Sequence, residues 1–169
     1  MIIDLSDIIT SKSSQLEFDS VVNIGKVEFM GSLYNFLQPV QVKGSIHKIE
    51  NVFELDAQIT GSVKVNCFRC MKELEKDFDF SIHENLTNDA GNNGEDEDTI
   101  RFQGSRIDIT EIVVNNTLMN IPVKYLCSED CKGLCPACGA DLNIEQCNCT
   151  NNNIDPRFEV LKKLLNQKE

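Results

Sequence analysis

The residues of this 169-residue chain whose type and spacing could do chemistry are its eight cysteines, and they lie in only two places. One is the pair Cys67 and Cys70 in CFRC. The other is the stretch CSEDCKGLCPACGADLNIEQCNC, which packs six thiols, from Cys127 to Cys149, into twenty-three residues. Cysteines that serve as small hydrophobes in a core are scattered, so clustering of this kind points to a metal. Neighbouring thiolates repel unless a cation holds them. Zn2+ takes four in a tetrahedron at roughly 2.3 Å, supplied by C-x2-4-C pairs at tight turns. Eight sulfurs make two closed four-cysteine sites, and two Zn2+ ions are expected.

Chain geometry favours one division of the eight. Cys135 and Cys138 form a C-x-x-C turn with Pro136 inside it and Gly139 just after, where a positive φ relieves the backbone. Cys147 and Cys149 return after eight intervening residues and would complete that site. Cys67, Cys70, Cys127 and Cys131 are then left for the other. The rival division joins Cys127 and Cys131 to Cys135 and Cys138, and leaves Cys67, Cys70, Cys147 and Cys149 together. Either way the expected role of the metal is structural, since a catalytic zinc keeps one position open and usually mixes in His or carboxylate ligands. Cys135-Pro-Ala-Cys138 has the form of a dithiol redox motif, but the neighbouring cysteines count against that use.

Elsewhere the chain offers little chemistry. His47 and His83 fall in strand-like segments with no motif around them. There is no Ser-centred nucleophile elbow and no Gly-rich phosphate loop, and Asp108 and Glu111 read as cap or solvated-face residues. A calcium loop beginning at Asp89 is disfavoured by Gly91 at its third position and Ile100 at its twelfth. No enzyme and no small-molecule substrate are expected. Arg69 and Lys132 stand beside the expected thiolate clusters, where a cation offsets charge or meets a ligand. Arg157, in DPRF, is the third expected binding residue.

The elements that must position these cysteines read as α+β: a mainly antiparallel sheet, a few short helices and a C-terminal Cys-rich segment resembling a zinc ribbon. Residues 2–10 suggest a short helix with Ile2, Leu5 and Ile9 inward. Leu16, Phe18, Val27 and Phe29 suggest strands around a turn at Asn23–Gly25. From Val40 to Cys67 alternation is clear, with Val42, Ile46 and Ile49 in one arm and Val52, Phe53, Leu55, Ala57, Ile59, Val63 and Val65 in the next, around Glu50-Asn51. The second arm runs directly into Cys67, which puts the first pair at a strand end. Another strand covers FDFSIHENL, followed by an acidic mobile loop over 87–99 and a short strand Ile100–Phe102. Thr110 is placed to cap a helix in which Ile112, Val113, Leu118 and Met119 pack on the sheet, and Pro122 stops it. Asp155 and Pro156 open a last helix with a Phe158, Leu161, Leu164, Leu165 stripe. The expected organisation is a β-rich body over 1–126 and a zinc-binding segment with a C-terminal helix over 127–169, joined through Cys67 and Cys70.

Formal charge is −11, hydrophobic content 41%, aromatic content 7%, with no Trp. That core is lean, and metal cross-links would reinforce it. A body this acidic does not draw phosphates in bulk, so direct nucleic-acid contact is disfavoured and a basic protein is the natural partner. MIIDLSDIIT lacks a basic n-region ahead of an apolar run, and no segment nears the roughly 20 apolar residues of a membrane span. A cytoplasmic setting is expected, where clustered thiols stay reduced and bind metal.

Three motifs in order, CxRC after a hairpin, CxxxCKGLCPxCGxxLN-x3-CxC, and DPRF before a Leu-rich helix, closely resemble the bacterial YceD family of large ribosomal RNA subunit accumulation proteins. The resemblance covers roughly residues 60–165. Its motif positions here are Cys67, Arg69, Cys70, Cys127, Cys131, Lys132, Gly133, Cys135, Pro136, Cys138, Gly139, Cys147, Cys149, Asp155, Pro156 and Arg157. Met71 stands where the family commonly has Leu, a conservative departure. The resemblance implies a cytosolic factor needed for accumulation of the large-subunit ribosomal RNA. Some members keep the CxRC pair and a cysteine like Cys131 without the KGLCPxCG ribbon, which implies two separable sites. The combined expectation is a zinc-stabilised, non-enzymatic factor for large-subunit assembly that binds a basic ribosomal protein or a precursor particle. The alternative is a thiol redox or zinc-handling protein.

Overall fold

The computed structural model describes residues 1–50, 52–88 and 99–149. The calcium-loop question at Asp89 and the C-terminal motif with Asp155, Pro156, Arg157 and the Phe158–Leu165 stripe lie outside the described residues.

Alternation of apolar and polar residues builds a large, mainly antiparallel sheet. Its spine is the hairpin of β6 (Val52–Asn66) and β7 (Glu73–Asn88), in register from Val52↔Thr87 to Asn66↔Glu73. On β6 the residues Phe53, Leu55, Ala57, Ile59, Val63 and Val65 are all buried, and each side chain between neighbours in that series is polar. β5 (Val40–Ile49) pairs with the first half of β6 through a tight turn in which Ile49 meets Val52 and Glu50 takes φ 55°. The outer edge of β5 carries β2 (Gln15–Val22). Beyond β5, the edge of β6 is continued by β4 (Ser32–Asn35), itself hairpinned to β3 (Lys26–Phe29) through Met30 and Gly31 at positive φ. β8 (Thr99–Phe102) joins the far edge of β7 in parallel.

Several expectations change in detail. The strands flanking Asn23–Gly25 form, but β2 pairs with β5 and β3 with β4, so they are not partners. Ile2–Asp4 is a strand, β1, paired with β9 (Arg106–Asp108), and only Ser6–Ile9 is helical, as α1. That pairing turns Ile2 outward at 69% exposed, while Ile3, Leu5 and Ile8 are buried. The long-range β1–β9 ladder wins over local helix propensity. Of the residues expected in the acidic mobile loop over 87–99, Thr87, Asn88 and Thr99 belong to β7 and β8, and 89–98 lie outside the described residues.

Helix α2 (Thr110–Asn120) covers one face of the core with Ile112 and Val113 buried. Thr110 lies inside the helix; the group that takes up its N–H is the Asp108 carboxylate, at 2.9 Å. The Met1 amine and Thr110 hold the Asp108 carboxyl well below the usual carboxylate range. Met119 is 74% exposed, because two residues on from fully buried Thr117 it is turned roughly 200° around the helix, away from the core. Asn116 Nδ2 ties the helix to β7 through Glu84, 2.7 Å away. The last turn leads to buried Ile121, and the Tyr34 hydroxyl donates to the Pro122 carbonyl at 3.3 Å.

The solvent face of the sheet is acidic. Register places Glu17 and Asp19 of β2, Glu54 and Asp56 of β6, and Glu73, Glu75, Asp77 and Asp79 of β7 on it. Lysines among them are paired: Lys43 with Asp19 at 3.1 Å and Lys64 with Glu73 at 2.9 Å. Among the described residues no helix is long and apolar enough to cross a membrane.

Candidate metal centre

The six residues between β6 and β7 form the first cysteine turn. Cys67 N–H donates to the Lys72 carbonyl at 2.8 Å and Met71 N–H to the Cys67 carbonyl at 2.9 Å, with Met71 at φ 60°. Cys67 and Cys70 are thereby held at the tip of the longest hairpin in the sheet. The segment after Pro122 crosses this tip: Phe68 N–H donates to Tyr125 O at 2.8 Å, and Cys127 N–H to the Cys67 sulfur at 3.4 Å. Cys127 and Cys131 so arrive beside the first pair.

The sulfurs of Cys67, Cys70, Cys127 and Cys131 all lie within 4.8 Å of one another, and those of Cys135, Cys138, Cys147 and Cys149 form a second set within the same limit. The rival division is not the one the fold assembles. In the first set Cys67 Sγ is 3.8 Å from Cys131 Sγ, and Cys70 Sγ is 3.7 Å from Cys127 Sγ. A tetrahedron with Zn–S bonds of roughly 2.3 Å has edges of about 3.8 Å. The donor set therefore fits a tetrahedral, thiophilic ion in number, softness and spacing. Cys67, Cys70 and Cys131 are buried and form a small cluster of their own with Leu74 and Leu126, of which Leu74 also packs against the main core. In the second set Cys135 is buried, whereas Cys138 and Cys149 are exposed.

Electrostatics point the same way. Burial pushes the Cys67 thiol up, but the N–H groups of Cys70, Cys127 and Arg69 outweigh it and bring it to about 6. For Cys70 the Lys72 N–H pulls down, yet burial and the sulfurs of Cys67, Cys127 and Cys131 push it up to about 12. In the second set, N–H groups of Cys138 and Ala137 lower Cys135 to about 6, while hydrogen bonding with Cys138 and burial push Cys149 up to about 12. Each set yields one thiolate readily and resists the next. A cation among the four sulfurs removes that resistance.

The two sets are joined through the CFRC turn. Arg69 Nη1 donates to the carbonyls of Cys131 at 2.8 Å and Glu129 at 3.0 Å, so its guanidinium braces the Cys127–Cys131 loop. Leu134 N–H donates to Arg69 O at 3.1 Å. Gly133, at φ 76°, lets this approach happen, since a Cβ there would sit 3.0 Å from Arg69 O. Past it, Cys135 N–H bonds Ala140 O and Gly139 N–H bonds Cys135 O, both at 2.8 Å, with Gly139 at φ 77°. The Lys132 side chain is exposed, and its backbone N–H donates to Asn143 Oδ1 at 2.8 Å. His47 and His83 sit on the sheet, in β5 and β7. Asn143, which the sequence does not single out, has an amide reaching Cys131 Sγ at 3.5 Å. Its signal is the Asn closing CGADLN, a residue type that bonds backbone in tight turns.

A family model described as "Large ribosomal RNA subunit accumulation protein YceD" matches residues 55–165, a stretch that holds all eight cysteines. The chain belongs to the YceD family. Among its relatives, the protein YlbN of Bacillus subtilis (strain 168) is 31% identical over 152 residues, covering 89% of this chain and 88% of YlbN. "Large ribosomal RNA subunit accumulation protein YCED homolog 1, chloroplastic" of Arabidopsis thaliana is 25% identical over 158 residues, covering 76% of this chain and 49% of that protein. Rv2926c of Mycobacterium tuberculosis (strain ATCC 25618 / H37Rv) is 27% identical over 125 residues, covering 70% of this chain and 59% of the relative. No solved structure matches. The YceD match begins inside β6 and runs through both sulfur sets, so the hairpin that carries CFRC and the segment that completes the clusters fall within one family unit.

Proposed function

We propose that this YceD-family chain is a zinc-stabilised, non-enzymatic, cytoplasmic factor that supports accumulation of the large-subunit ribosomal RNA. Its action is to bind a basic ribosomal protein or a large-subunit precursor. The observation that carries the reading is the pairing of a YceD match with two all-sulfur, four-donor clusters. Four sulfurs close the coordination shell of each ion and leave no position for a substrate. Cys67, Cys70, Cys127 and Cys131 would hold one Zn2+, and Cys135, Cys138, Cys147 and Cys149 the other in a zinc-ribbon-like segment. The ions supply cross-links between the hairpin tip and the C-terminal segment. The acidic sheet face supports a basic partner, because its Lys43 and Lys64 are already paired, while Glu17, Glu54, Glu75, Asp77 and Asp79 form no salt bridge among the described residues.

Depletion tests this reading directly. Loss of the protein is expected to lower large-subunit ribosomal RNA relative to small-subunit RNA, and affinity capture should recover large-subunit precursors. Unchanged large-subunit RNA on depletion would sink it. Exposure of Cys138 and Cys149 favours one second reading, a thiol redox or zinc-handling protein. Tightly held zinc with no titratable thiols excludes redox use, and rapid loss of zinc to a weak chelator would favour metal transfer.

A further inference from the structure

The geometry points to Asn143 as a positioning residue that couples the two sulfur clusters, so that each loads more tightly when the other holds its ion. The inference rests on the reading of both clusters as metal centres.

Asn143 lies between Cys138 and Cys147 in sequence, inside the loop that closes the second cluster, yet its side chain serves the first. Its Nδ2 donates to Cys131 Sγ at 3.5 Å and to Asp141 Oδ1 at 2.6 Å, while its Oδ1 accepts the Lys132 N–H at 2.8 Å. Asp141 Oδ1 also accepts the Asn143 N–H at 2.9 Å, which fixes the backbone from which the amide projects. Asp141 in turn bridges to Leu134, the residue before Cys135, and Leu142 N–H donates to Gly133 O at 3.0 Å. The loop that delivers Cys147 and Cys149 therefore ends on a sulfur of the other site through one planar amide.

A neutral donor aimed at a metal-bound thiolate withdraws charge from it and fixes its direction. That donor is in place only when the 141–143 turn is folded. The turn is folded when Cys135, Cys138, Cys147 and Cys149 share an ion. Ordering of one site thus lowers the ordering cost of the other, which is a coupling free energy and must act equally in both directions. Arg69 provides a second strut, from the CFRC turn to the Cys131 carbonyl, but it belongs to the first cluster at both ends. Asn143 is the side chain that crosses.

The test is a Co2+ titration of the reduced full-length chain against a competing chelator at fixed pH, read by the thiolate-to-cobalt absorption. Wild type is compared with three variants: Cys147→Ser with Cys149→Ser, which disables the second cluster; Asn143→Asp; and all three changes together. Asn143→Asp keeps the acceptor for Lys132 N–H and replaces the donor to sulfur by an anionic oxygen. Wild type should bind two Co2+. Disabling the second cluster should weaken the first by about tenfold, Asn143→Asp should do the same while two ions still bind, and the combination should be no weaker than either. Reciprocally, Cys67→Ser with Cys70→Ser should weaken the second cluster by the same factor. First-cluster affinity indifferent to loss of the second, or penalties that add in the combined variant, overturns the coupling and leaves the metal reading intact. A wild-type chain that binds no Co2+ overturns both.

Discussion

At the scale of single residues, the same group can be catalytic in one setting and a brace in another, and surroundings decide. His83 is the nearest thing to an acid–base residue, and its Nδ1 stands 2.8 Å from Asp56 Oδ1 on the open face of the sheet. The Asp56 carboxylate raises its pKa above the ordinary 6.5. With the folded value above the unfolded one, the pair stabilises the fold fully below about pH 6.5, and that contribution fades as pH rises through the folded value. Asp56→Asn should move the His83 titration downward, followed by the ring proton shifts in NMR; an unmoved titration would show that the pair does not persist in solution. Arg69 is legible in CFRC as a cation beside sulfur, but not as a brace. What the letters hide is that its guanidinium turns to the carbonyls of Glu129 and Cys131, sixty and sixty-two residues along the chain. Arg69→Ala should loosen the first metal by about tenfold, and Arg69→Lys should recover little, because both carbonyls are met by the single Nη1 nitrogen, which stands one bond farther from the backbone than a lysine ammonium does. Chelator competition against the wild type reads both.

Among elements, legibility followed locality. The β5–β6 hairpin is plain in the sequence because each arm alternates and a short turn joins them, so the pattern and the pairing say the same thing. The β1–β9 ladder is not, since Ile2–Asp4 finds its partner at Arg106–Asp108 and nothing in MIIDLSDIIT announces a strand. Likewise Thr110 has the right type for a helix cap, yet it lies inside the helix, and its N–H is taken up by Asp108, which the sequence reads only as a cap or solvated-face residue. Close packing between paired strands is another fact the letters do not carry. Gly44 faces Ala57, and a Cβ on it would lie 2.3 Å from the Asp56 carbonyl and 2.8 Å from Ala57 Cβ. Backbone cannot move aside as a side-chain tip can. Gly44→Ala should therefore cost on the order of 3 kcal/mol, the upper end for overpacking in a well-filled interior. Urea unfolding of the metal-loaded protein measures it, and a loss below about 0.5 kcal/mol, the scatter of ordinary surface changes, would mean the strands can separate locally.

For the whole molecule, apolar burial and sulfur clusters divide the work unevenly. The main core is built largely from Ile, Val, Leu and Phe of β5, β6, β7 and α2 and includes no cysteine. Residues 127–149 contribute only cysteines to the buried apolar set, while Ile144 is 83% exposed and Leu134 37%. The two sulfur clusters are what that segment has in place of a core. On the proposed reading, each four-sulfur zinc site contributes on the order of 10 kcal/mol, as much as the whole stability of a small domain, and that is what holds the segment's fold. The sheet holds its own, because its burial does not depend on the ions. Strong chelation of the reduced protein should therefore strip amide protection from residues 67–72 and 123–149 while β2, β5 and the middle of the β6–β7 hairpin stay protected, as read by hydrogen exchange in NMR. Protection lost everywhere at once would make the clusters belong to the main core; protection kept throughout would mean the sulfurs pack as thiols and the ions are not needed. The graded outcome is the one that matches two unlike interiors on one chain, the first apolar and closed by the sheet, the second made of sulfur and, on the proposed reading, closed by metal.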